Sequence, residues 1–300
     1  MQDDEAGQLR DGLLGPFRLE GHQALVSPFV FASPHSGRHY PRALLVASRL
    51  PLADLRRCED PYVDALIAPA ARAVGAVLLS ATHARAWLDV NRAPHEIDPA
   101  MLSGPVPGAQ SSHRVVQGLG VIPRDAGPAG RIYRQLLVPD AALARLDHIH
   151  RPWHAALANA LATARAIHGF AVLLDWHSMP PAAVPRAAAV VTGDLHGRSA
   201  HPALMARLEA ALAAAGFTVA RNDPYAGAWT LERHGAPAEG VHAVQIELAR
   251  DRHLDAGLLE PGPDFDAVAG RLALAARTLA GGLDALAPSL RPTPARWAAE

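Results

Sequence analysis

The chain has 300 residues, half of them hydrophobic, with 19% charged and a formal net charge of −1. That is ample apolar material for a large buried core, so a disordered tail protein is excluded, as is the strong basic field that holds nucleic acid or an anionic membrane non-specifically. Cys58 is the only cysteine, which excludes an intrachain disulfide and a Cys-based zinc cluster, and sixteen His leave His/carboxylate as the ligand chemistry for any metal.

Taken in chain order, the predicted elements alternate between strand and helix. The opening Met1-Gln2-Asp3-Asp4-Glu5 is acidic where a secretory signal is basic, and no unbroken apolar run reaches membrane length. The expectation is a cytoplasmic protein with no membrane span. Short apolar runs bounded by turn residues predict strands at Ala24–Ala32, Ala76–Ser80, Ala86–Val90, Phe170–Asp175, Ala187–Val191, Phe217–Ala220 and Ala243–Leu248. Helical patterns cover Pro61–Val74, Asp140–Ile167 (with Pro152 kinking or splitting it), Ser199–Ala215 and Phe265–Leu286. Asp98–Pro139 is rich in Gly and Pro; at about 40 residues it is too long for a mere connection, so it is functional or partly structured, and a lid is one reading. With no internal repeat or linker, residues 1–300 read as one α/β domain with a mixed, mainly parallel sheet flanked by helices. Residues 288–300 read as a surface tail.

In open α/β sheets, function gathers at the carboxyl ends of strands. There the chain places Ser33-Pro34-His35-Ser36-Gly37, Asn91-Arg92, Asp175-Trp176-His177-Ser178, and Glu247 followed by Arg250. His35 and His177 suit a divalent metal, and Cys58-Glu59-Asp60-Pro61 offers two adjacent carboxylates for a third ligand. Glu247 lies in the apolar run Val244-Gln245-Ile246-Glu247-Leu248, where a carboxylate is costly without a task or a partner. It is either a general base or a buried ion-pair partner of Arg250 or another Arg. Arg85, Arg92 and Arg250 are forks suited to carboxylates, and Arg92 is alternatively a staple to Asp89 or Asp98.

His148, His150 and His154 form a rival cluster, but Pro152 interrupts it and no third ligand is evident. A solvated helix face is the better reading of His148 and His150. A nucleophile elbow, a P-loop, a dinucleotide fingerprint following a strand and H-E-x-x-H are all absent from the sequence.

These residues, in this order, resemble the N-formylglutamate amidohydrolase family. The matches are Ser33-Pro34-His35-Ser36-Gly37 with Tyr40-Pro41, Glu59-Asp60 with Val63-Asp64 and Leu66, and Arg85 with Asp89-Val90-Asn91-Arg92. They continue with His154, Asp175-Trp176-His177-Ser178-Met179, Gly193-Asp194 with His196-Gly197, Asn222 to Gly227, and Gln245-Ile246-Glu247-Leu248 with Arg250. They span residues 30 to 255, most of the chain.

The resemblance implies a zinc-carboxypeptidase-like fold and one divalent metal, zinc by expectation, although manganese, cobalt or iron suit the same donors. It implies His35, His177 and Asp60 as ligands, with Glu59 the alternative third, and Glu247 as general base towards a metal-activated water. Arg85 would steady the oxyanion, and Asn91, Arg92, Arg250 and His154 would line the substrate's side. The implied reaction is hydrolysis of N-formyl-L-glutamate to formate and L-glutamate, so the expected partner is a small-molecule N-acyl amino acid, with no nucleic acid and no membrane. A related zinc amidohydrolase or peptidase acting on another N-acyl amino acid or a short peptide is the alternative, and a non-catalytic binder of an acidic metabolite is the more distant one. The sequence departs from the family after Glu247, reading Ala249-Arg250 and then Arg252-His253-Leu254.

Overall fold

The computed structural model describes residues 14–21, 26–183 and 188–292. Among these, β1 (Phe17–Glu20), β2 (Phe29–Ser33), β3 (Val77–Ala81), β4 (Ala171–Met179), β5 (Val190–Gly193), β6 (Val219–Arg221) and β7 (Val241–Ala249) build one sheet. Its order is β1-β3-β2-β4-β7-β5-β6. The four central strands β3, β2, β4 and β7 run parallel, while β1 joins β3 and β5 joins β7 antiparallel. The expected mixed, mainly parallel sheet flanked by helices is therefore found.

Period-two alternation sorts the strand residues between two cores. Phe29, Phe31, Val172, Leu174, Trp176, Val244, Ile246 and Leu248 face one core with α1 (Val63–Ala73). Val30, Ala32, Leu173 and Ala243 face the other with α2 (Arg151–His168). Asp175, His177, Gln245 and Glu247 alternate with the first set, so all four share the second face. In α1, Val63, Leu66, Ile67, Ala70 and Ala71 recur at helical spacing and are buried. α3 (Pro202–Ala214) and α4 (Phe265–Ala280) pack on that same side through Leu204, Leu208, Val268 and Leu272.

The chain leaves β2 for β3 on one side and later places β4 on the other. Neighbouring connections diverge there, opening a crevice at the carboxyl ends of β2 and β4. His35 follows the first strand and His177 lies near the end of the second.

Several sequence expectations are corrected. Ala86–Val90 is a turn, because its backbone bonds are local or run to the long segment, as in Asp89 N–H to Val121 O at 2.8 Å. Ala86, Leu88 and Val90 are still buried, which is why the run reads as a strand. The helix expected over Asp140–Ile167 comes as Pro139–Arg145, a π-helical turn Leu146–His150, and α2 with Pro152 in its first turn. Proline has no N–H to continue the ladder, but its fixed φ suits a first turn. The C-terminal helix divides at Gly281-Gly282 into α4 and α5 (Leu283–Leu290). Residues 288–290 therefore belong to a helix: Leu290 is buried and its carbonyl accepts from His242 Nε2 at 2.9 Å. Residues 293–300 of the expected tail, Ala24 and Leu25 of the first predicted strand and Ala187 of the fifth lie outside the described residues. The segment 98–139 is packed: Met101, Leu102, Val115, Val121, Ile122, Ile132 and Tyr133 join the second core. No helix among the described residues is long and apolar enough to cross a membrane.

Candidate active site

His35, Asp60 and His177 meet at the crevice, all three buried, with one ligand atom of each within 4.8 Å of the others. His35 Nε2 lies 2.7 Å from Asp89 Oδ1, and His177 Nε2 lies 3.1 Å from Asp175 Oδ2. An ionised carboxylate only accepts, so each Nε2 carries the ring proton and each Nδ1 presents a lone pair. Those two Nδ1 atoms are 3.1 Å apart and lie 3.2 and 3.0 Å from Asp60 Oδ2. Three electron pairs thus converge on one buried point, an arrangement that a cation satisfies. Two imidazoles and a carboxylate, each ring oriented by a carboxylate behind it, are donors that could hold a divalent metal.

Asp60 is held from behind. Arg250 Nη2 donates to Asp60 Oδ1 at 3.1 Å and also to the Glu59 carbonyl, while its Nε donates to Ser178 Oγ at 3.2 Å. Burial works to raise the Asp60 carboxyl, but hydrogen bonds and charge from His177 and His35 hold it well below the usual range. Glu59 points elsewhere. Its Oε1 accepts from Tyr40 Oη and lies 3.8 Å from Arg56 Nε. Adjacent residues on an extended backbone project to opposite sides, and Asp60 is the one that meets the two imidazoles.

Asp89 is the hinge of the surroundings. Besides His35, its carboxylate accepts from Arg85 Nε at 2.8 Å and from the Asn91 N–H at 2.8 Å. Burial opposes its ionisation, yet Arg85, His35 and Arg92 hold it well below the usual range. Asn91 accepts from the Thr230 N–H at 2.9 Å, leaving its Nδ2 3.2 Å from His177 Nε2. Arg92 is clasped by carbonyls, Nε on Leu119 at 3.0 Å and Nη1 on Asn91 at 2.8 Å, with Asp89 3.9 Å away. Asp98, the other staple considered, pairs with Arg124 instead.

Glu247 stands beside His177 in register across β4 and β7, with Gln245 beside Asp175. Its Oε1 accepts from Gln245 Nε2 at 2.8 Å. The ion pair with Arg250 considered from sequence does not form, because Arg250 turns to Asp60. Burial pushes the Glu247 carboxyl up to about 7.

His154 is not among the residues lining the cavity. It is buried in α2, with Nε2 donating to Val90 O at 2.8 Å and Nδ1 accepting from His234 Nε2 at 2.9 Å. His150 is also buried, against the solvated-face expectation: the π-helical turn aims its Nε2 at Arg92 O, 2.8 Å away. The pair therefore hold the carbonyls flanking Asn91 from the protein side.

Burial lowers His154 to about 2 and His234 to about 4. A depressed imidazole contributes stability that is complete above its unfolded value near 6.5 and is lost as pH falls towards the folded value. His234→Gln keeps a donor for His154 but removes one such proton uptake. The fall in stability between pH 7.5 and 5.0 is expected to shrink by about 1–2 kcal/mol in that variant, read as paired thermal melts at the two pH values. An unchanged difference would show that His234 is not held neutral.

A cavity of about 610 Å³ opens over these residues. His35, Asp60, Arg85, Asn91, Arg92, His177, Glu247 and Arg250 all line it, which brings together every sequence-predicted site residue except His154 and Glu59. Its far wall comes from the long segment, through Arg114, Gln117 and Leu119, and from the loop Pro224–Ala228. Arg114 was not anticipated. It lies in a stretch with no periodicity or motif to mark it.

The sequence profile of the N-formylglutamate amidohydrolase family matches residues 27–254. This chain belongs to that family. An N-formylglutamate deformylase of Pseudomonas aeruginosa is 30% identical over 238 residues, 76% of this chain and 82% of that protein. One of Pseudomonas putida is 27% identical over 245 residues, 79% of this chain and 85% of the relative. The crystal structure of N-formylglutamate amidohydrolase from Ralstonia eutropha JMP134 superposes with a TM-score of 0.85 at 34% identity, covering 91% of this chain and 99% of that one. The family is one of hydrolases that act on a carbon–nitrogen bond outside peptides.

Proposed function

We propose that the chain hydrolyses N-formyl-L-glutamate to formate and L-glutamate, using a divalent metal, zinc, held by His35, Asp60 and His177. The observation that carries this reading is the convergence of three lone pairs on one buried point, with an unpaired-by-charge carboxylate, Glu247, on the neighbouring strand. A metal bound there would supply Lewis-acid polarisation and a lowered pKa for water.

The chain's own residues do the rest. Glu247 accepts a proton from the attacking water as its oxygen bonds to the formyl carbon. Arg85, held by Asp89, presents its guanidinium to the negative charge that develops on the formyl oxygen. Glu247 then passes the proton to the amide nitrogen as the C–N bond breaks, leaving formate and a free amine. Asn91 and Arg92, which line the cavity together with His177, receive the α-carboxylate. A non-catalytic binder is disfavoured, because an acidic metabolite is not helped by a buried carboxylate facing it.

The deciding assay is formate release from N-formyl-L-glutamate by zinc-loaded protein beside a chelated sample. Release that disappears on chelation and returns with metal is expected; a metal-replete sample without release removes this substrate. Arg92→Ala is expected to raise KM about 10–100-fold with a smaller change in kcat and unchanged metal content. A loss confined to kcat would take Arg92 off the substrate's carboxylate.

A further inference from the structure

Two guanidiniums face the cavity with no carboxylate within hydrogen-bond distance. Arg92 is one: it is 8% exposed, and its nearest acid, Asp89, already accepts from Arg85 and His35. The second is Arg114, whose side chain donates to the Gly227 carbonyl at 3.3 Å and forms no ion pair among the described residues. Asp125 also lines the cavity but pairs with Arg124 at 3.0 Å. Burial, and then the charges of Arg85 and Arg114, press Arg92 down to about 10 against the pull of Asp89. Two like charges lining one cavity, one of them buried, repel each other, and a ligand with two anionic groups relieves that repulsion.

Arg114 is held in place rather than loose. Ser112 caps its short helix, with Oγ accepting from Val115 N–H and donating to Glu96 Oε1 at 2.5 Å. Glu96 Oε2 accepts from the Ala93 N–H at 3.0 Å, which ties the helix to the turn carrying Asn91 and Arg92. Leu119 closes the link: its N–H donates to Arg114 O at 2.8 Å, and its carbonyl accepts from Arg92 Nε. Arg92 and Arg114 are therefore presented as a unit. Arg92 follows Asn91, whose Nδ2 is 3.2 Å from His177 Nε2, while Arg114 joins the unit through Leu119 and Glu96.

We propose that Arg114 is the specificity residue of this cavity, receiving the side-chain carboxylate of a dicarboxylic N-acyl amino acid whose α-carboxylate rests on Asn91 and Arg92. The assignment builds on the N-formyl-L-glutamate reading and adds the residue that distinguishes this substrate from its neutral analogue. A bidentate fork is the natural partner for a carboxylate, and no lysine exists in the chain to serve instead.

The test compares wild-type and Arg114→Gln enzymes on N-formyl-L-glutamate and on N-formyl-L-glutamine, which keeps the size and loses the charge. On the acid, kcat/KM is expected to fall about 30-fold or more, mainly through KM, while on the amide the two enzymes agree within about threefold. An equal loss on both substrates, or no loss on the acid, overturns the assignment. A wild-type enzyme that releases no formate from N-formyl-L-glutamate overturns the reaction reading instead. In that case calorimetry with L-glutamate and L-glutamine on metal-loaded protein decides the subsite by itself. A preference for glutamate that Arg114→Gln abolishes supports it, and a preference that survives the substitution overturns it.

Discussion

Replacing Glu247 by Gln is expected to lower kcat for formate release about a thousandfold or more, with metal content at the wild-type level. Gln matches Glu in shape and still offers an oxygen to Gln245 Nε2, so the packing of β7 against β4 is kept. What is lost is the proposed ability to take a proton from water and return it to the departing nitrogen. The proposed metal ligands are untouched, because His35 and His177 are oriented by Asp89 and Asp175 and not by Glu247. Parallel formate assays and metal analysis read the two effects separately. A variant that keeps near-native turnover would remove Glu247 from the chemistry, and one that loses its metal would make it a structural support of the ligand set.

The second large effect separates two adjacent carboxylates. Asp60→Asn is expected to lower metal content below a tenth of wild type and activity about a thousandfold, whereas Glu59→Gln keeps the metal and activity within about threefold. Asp60 Oδ2 lies 3.2 and 3.0 Å from the two Nδ1 atoms, while Glu59 accepts from Tyr40 on the far side of the backbone. An amide at position 60 lacks the negative charge proposed to hold a divalent ion against burial. It also puts Arg250 beside a neutral group. The reverse pattern, with Glu59→Gln stripping the metal, would mean the loop turns over when the ion binds.

Much of the site is legible from sequence because short apolar runs encode buried strands, and a polar residue at the end of such a run must answer for its burial. His35, His177 and Glu247 stand out for that reason, as does the α/β class itself. The helical periodicity of Val63–Ala73 is equally plain, since its apolar residues fall on one stripe. Ala86–Val90 misleads because a buried turn and a buried strand share the same hydrophobic composition. Only the destination of its N–H groups, Val121 O among them, tells the two apart.

Fold class, the choice of His/carboxylate chemistry and the buried general-base candidate are properties of local pattern and composition, which is why sequence determines them. Which of the two adjacent carboxylates meets the imidazoles is not local. Glu59 and Asp60 differ only in which way each leaves the backbone, and partners distant in the chain, Tyr40 for one and His177 with Arg250 for the other, settle that direction. The same holds for His154, drawn away from the cavity by Val90 O and His234, and for Arg250, which turns to Asp60 rather than to Glu247. Arg114 reaches the cavity only because a segment without periodicity folds back over the strand ends, held by Glu96 and Leu119. Hydrogen bonds between residues far apart in sequence carry that information, and they exist only in the folded chain.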